Sequence, residues 1–61
     1  MTNANMEPLW TTEELASFLR VPVKTLADWR LLGKGPPFTR VGKYVRYYPD
    51  GIREWLSQSE P

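Results

Sequence analysis

Seven cations fall between Arg20 and Arg46, namely Arg20, Lys24, Arg30, Lys34, Arg40, Lys43 and Arg46, against the single acid Asp28. The chemistry such a run can do is binding, because guanidinium and ammonium donors pair with the oxygens of a polyanion and displace its condensed counterions. Tyr44 interleaves with the last three and adds a flat ring to the donors. Glu7, Glu13 and Glu14 precede the run, and Asp50, Glu54 and Glu60 follow it with Arg53, so the formal net charge of the 61 residues is only +1. The segregation of charge, more than its sum, points to one basic surface. Catalysis is poorly supplied. With no histidine and no cysteine there is no imidazole base, no thiolate nucleophile and no thiolate zinc site. The acids are scattered over helix starts and exposed faces, neither converging as a general acid and base nor clustered as a calcium loop requires. The chain therefore reads as non-enzymatic, without catalytic residues, metal ligands or a cofactor.

The elements that position the cations are marked by local signals. Thr11 followed three residues later by Glu14 is a capping box, and Leu15, Phe18 and Leu19 then recur at i, i+3 and i+4. This predicts a first helix over 12–20, with Trp10 placed to staple back onto Leu15. Val21-Pro22 ends it, since proline disfavours helical geometry in the residue before it and suits the opening of the next helix. A second helix is expected over 23–32, stopped by Gly33 in a left-handed cap. Leu26 and Trp29 share its buried face, while Lys24, Asp28 and Leu31, with Arg30 nearby, form the stripe open to a partner.

Gly35-Pro36-Pro37 reads as a stiff extended connection. Two short runs rich in β-branched and aromatic residues follow, at 39–41 and 44–47, separated by Gly42-Lys43, a pair suited to a type II′ hairpin turn. Opposing Val41 to Tyr44 puts Phe38, Arg40, Val45 and Tyr47 on one face, the expected core face, and Thr39, Val41, Tyr44 and Arg46 on the other. Pro49-Asp50 opens a third helix with Ile52, Trp55 and Leu56 inward.

The predicted fold is α+β, a small winged helix-turn-helix: helix, turn, recognition helix, two-stranded β-hairpin wing and C-terminal helix. One core of Leu15, Phe18, Leu19, Leu26, Trp29, Val45, Ile52, Trp55 and Leu56 is expected, because a chain of about 60 residues has surface enough to bury for only one. Residues 1–8 are expected to be a flexible segment, with 1–7 frayed and without assigned function, 9–57 the domain and 58–61 a flexible tail. No apolar run approaches the roughly 20 residues of a membrane span and the first eight residues lack the features of a signal peptide, so a cytoplasmic protein is expected.

Two short helices with a tight turn suit a major groove, and a hairpin bearing Arg40, Lys43 and Arg46 suits phosphates or a minor groove. The alternative is a protein-interaction module whose Trp and Tyr surface docks a partner without DNA. The stretches 9–16 and 25–30, Gly33, Gly35-Pro36-Pro37-Phe38, Arg40-Val41-Gly42, Val45-Arg46-Tyr47 and Ile52-Arg53-Glu54-Trp55-Leu56 together resemble the excisionase and AlpA-type branch of MerR-like winged helix-turn-helix proteins. The resemblance spans residues 9–56. It implies major-groove contacts from Val23, Lys24, Thr25 and Asp28, and backbone or minor-groove contacts from the wing, at Arg40, Lys43 and Arg46. Tyr44 is counted with the wing. From the residues themselves, Asp28 either accepts from a cytosine amino group or holds Lys24 at i+4. Pro22 stands where the family often has serine or threonine, so a side-chain cap is not available there. No long dimerisation helix follows the third helix, so small-molecule sensing is not expected. The resemblance further implies double-stranded DNA as partner, with an integrase or neighbouring copies of the chain beside it. Its relatives act as recombination directionality factors or as small transcription regulators of mobile elements, and the residues do not separate these.

Overall fold

The computed structural model describes residues 7–58. Of the flexible ends expected over 1–8 and 58–61, residues 1–6 and 59–61 lie outside them. Glu7, expected to fray with 1–6, instead pairs with Arg53 at 3.1 Å.

The elements run β1 (Trp10–Thr11), α1 (Thr12–Leu19), α2 (Val23–Leu32), β2 (Phe38–Val41), β3 (Tyr44–Tyr47) and α3 (Pro49–Gln58). The architecture is a small α+β winged helix-turn-helix, with three helices and an antiparallel sheet in the order β1-β3-β2. The capping box forms at α1: Glu14 N–H donates to Thr11 Oγ1 at 3.0 Å, and Thr11 N–H to Glu14 Oε1 at 2.8 Å. The turn from α1 to α2 contains no glycine, and Arg20 takes the left-handed conformation there, with φ 61°. Its N–H and that of Val21 satisfy the Ser17 and Ala16 carbonyls. Pro22 caps α2 without a side-chain hydrogen bond, and Gly33 closes it at φ 74°.

The hairpin has the expected register, Val41 opposite Tyr44 and Phe38 opposite Tyr47. Gly42 has φ 64° while Lys43 keeps a negative φ, as a type II′ turn requires. A third strand was not expected. Trp10 pairs with Tyr47 and Thr11 with Arg46, which makes β3 the central strand. Tyr47 therefore lies between Trp10 and Phe38 in one row across the sheet.

Leu15, Ala16, Leu26, Tyr47 and Ile52 form the buried core, and Trp10, Leu19, Val21, Trp29 and Val45 pack against it. Three expected core residues sit elsewhere. Phe18 is 55% exposed and meets Trp10 edge-on with centroids 5.1 Å apart, because it stands one step off the Leu15-Ala16-Leu19 stripe. Leu56 is also exposed, and Trp55 is half-buried in a tilted pair with Trp29. Tyr47 occupies the centre in their place. Among the described residues no helix is long and apolar enough to cross a membrane.

Candidate nucleic-acid interface

α2 begins immediately after Pro22, which offers no side-chain cap. Val23 is 44% exposed and the Lys24 side chain almost wholly so. Thr25 is half-buried, its N–H donating to the Pro22 carbonyl at 3.0 Å. Lys24 Nζ lies 3.3 Å from Asp28 Oδ2, so the two charges one turn apart meet each other in the free protein. That is one of the two roles expected of Asp28, and it leaves the other open. Leu31, last on the same stripe, is 87% exposed.

The wing organises its cations on aromatic rings. Arg46 Cζ lies 5.2 Å from the Tyr44 centroid and Lys43 Nζ 5.9 Å from it, so two positive groups share one exposed ring. Arg46 also donates to the Val45 carbonyl at 2.8 Å, and it forms none of the ion pairs among the described residues. Arg53 pairs instead with Asp50 and Glu7. Arg40 Cζ sits 5.8 Å from the Phe38 centroid. A ring under a cation orients it at little cost in solvation, so the donors stay available to an anion.

α2 and the wing are joined by a residue that was not among the expected contacts. Arg30 Nη1 donates to the Tyr47 hydroxyl at 2.7 Å, and Arg30 Cζ lies 5.8 Å from the Phe38 centroid. The signal for it was present in the helical period. Leu26, Trp29 and Arg30 fall at i, i+3 and i+4, which puts Arg30 on the edge of the core stripe and not on the solvent stripe beside Lys24.

Three of the acids lie off α2 and the hairpin. A groove of about 720 Å³ is lined by Glu7, Glu13 and Glu14 with Trp10 and Phe18, and no cation lines it. It shares no residue with α2 or the wing. No group of three or more acidic, His or Cys side chains is placed to hold a metal among the described residues.

The model of one protein family, described as a helix-turn-helix domain, matches residues 11–60. No curated protein matches the chain.

Proposed function

The chain belongs to the helix-turn-helix domain family, a DNA-binding class, and on that footing we propose that it is a sequence-specific duplex-DNA reader of the excisionase and AlpA type. It acts as a recombination directionality factor or a small transcription regulator of a mobile element, in the cytoplasm and without chemistry of its own. The first two turns of α2 enter the major groove. Val23, Lys24, Thr25 and Asp28 face the bases, while Arg40, Lys43, Tyr44 and Arg46 of the wing meet the backbone or the adjacent minor groove. An integrase, or further copies of the chain on the same DNA, are the partners this role needs.

The observation that carries the reading is the division of the surface. The exposed start of α2 and the cation-on-aromatic ribbon carry Lys24, Arg40, Lys43 and Arg46, whereas Glu7, Glu13 and Glu14 line a groove that includes none of these residues. Selection from a random duplex library, followed by footprinting on the enriched site, tests it. Tandem protected repeats with bending identify a directionality factor, and a single palindrome identifies a dimeric regulator. Failure to enrich any duplex over the starting pool removes the DNA reading.

A further inference from the structure

Arg30 differs from the other cations of the basic run in what holds it. It rises from the stripe of α2 that carries Leu26, which is 1% exposed, so it leaves the helix at the rim of the core. Its hydrogen bond goes to Tyr47, itself 1% exposed in the central strand, so the accepting oxygen cannot move unless the sheet moves with it. The same guanidinium stands over Phe38 of β2, whose ring also carries Arg40. One planar side chain thus ties the last turn of α2 to both strands of the hairpin. A charge-assisted hydrogen bond and a ring contact are both directional, so together they add an angular restraint to the non-directional apolar packing between two elements.

Resting on the DNA-binding reading above, we propose that Arg30 is a positioning residue: it fixes the offset between the start of α2 and the wing, so that the domain selects duplexes on which the two contacts fall at one spacing. Two contacts carried by a rigid body reinforce each other only where both sites are in register, whereas a wing swinging on its strands reaches phosphates at several offsets. Releasing the strut therefore removes discrimination between spacings and leaves the charge count unchanged.

Arg30→Lys keeps the charge and loses the fork, and Tyr47→Phe keeps the ring and loses the acceptor. Both variants are first melted to show that they fold. In the free protein, backbone order parameters of the 40–46 amides should fall from about 0.85 towards 0.6 in each variant, the range from rigid to flexible backbone. Binding is then measured to the enriched duplex and to one with a base pair inserted between the positions that α2 and the wing protect. The wild type should prefer the uninserted duplex by at least about tenfold, the worth of one charge-assisted hydrogen bond. Each variant should reduce that preference to under about threefold at an unchanged salt slope. The double variant should be no worse than the worse single one, since both break one link. An ordered hairpin in the variants, or a retained spacing preference, overturns the proposal. So does a salt slope lowered by about one with Arg30→Gln on every duplex, which makes Arg30 a phosphate contact. A wild type that binds no duplex refutes the DNA reading, and the order parameters still decide the strut.

Discussion

Asp28 is the lone acid among the cations of residues 20–46, and in the free protein its carboxylate accepts from Lys24 with both side chains largely in water. An exposed pair at i, i+4 contributes only about 0.3 to 0.5 kcal/mol, so thermal motion opens it and a DNA partner displaces it cheaply. In the free protein it draws the Lys24 ammonium one turn along α2, away from the helix start. Lys24→Ala should then shift which base is preferred, by about 1 to 3 kcal/mol where the ammonium reaches a base edge. Asp28→Asn should leave the melting curve within about 0.5 kcal/mol, as surface changes do, and tighten binding to all duplexes by removing a charge that repels phosphates. A loss confined to duplexes with one particular C·G pair would instead give Asp28 the cytosine amino group. Arg40→Ala and Lys43→Ala, in the wing half of the proposed interface, should weaken all sequences alike, each lowering the salt slope by about one. Parallel titrations of a cognate and a scrambled duplex check the whole set. Base preference that follows the wing, with Lys24→Ala acting uniformly, would exchange the two roles.

At the scale of elements, the boundaries that were legible in the sequence are those whose cause is local. The capping box at Thr11, the proline after Val21, the glycine at 33 and the Gly42-Lys43 turn each act within a few residues, and the observed helix ends and hairpin register follow them. β1 was not legible, because two residues pairing with a strand some 35 positions away carry no period of their own. The core was half legible for a related reason: a helical period shows which residues share a stripe but not how far the neighbouring element covers its edges. Phe18 and Leu56 were left outside for lack of cover, and Tyr47 was drawn in by strands on both sides. The candidate contacts on α2 and the wing were visible as charge, whereas the Arg30 link between them depends on packing. Two elements meet in a way that yields a sign prediction. A Cβ built on Gly51 of α3 would lie 2.6 Å from Cγ of Pro37, a ring that cannot rotate away. Gly51→Ala should lower the melting temperature although alanine is favoured over glycine by about 1 kcal/mol inside a helix. Arg20 presents the opposite case. A non-glycine residue at φ 61° is strained by about 1 to 2 kcal/mol, so Arg20→Gly should raise the melting temperature unless a contact of its side chain is lost.

For the molecule as a whole, stability and recognition draw on different parts of a very small inventory. Among the described residues the buried core cluster is only five side chains, and a chain of this length has about 3 to 9 kcal/mol of stability in all. Leu15→Ala or Ile52→Ala should cost about 2 to 5 kcal/mol, enough to leave much of the protein unfolded at room temperature, so any loss of binding in them reports folding. Recognition depends on the surface charge, which the fold sorts into a basic part built on α2 and the hairpin and an acidic groove around Trp10 and Phe18. A polyanion samples that asymmetry and not the net charge of +1. Of the seven cations in the basic run, Arg30 is engaged with Tyr47, and Lys24 must leave Asp28 before it can serve, which leaves about three to six phosphates for the domain to neutralise at once. Each neutralised phosphate contributes about −0.9 to the slope of log affinity against log salt, so that slope should lie near −3 to −5 on duplex DNA. Titrations at four or more salt concentrations check it. A slope near zero would mean that the basic surface does not face a phosphate backbone, and a slope steeper than the cations on one chain can supply would mean that more than one copy binds at once.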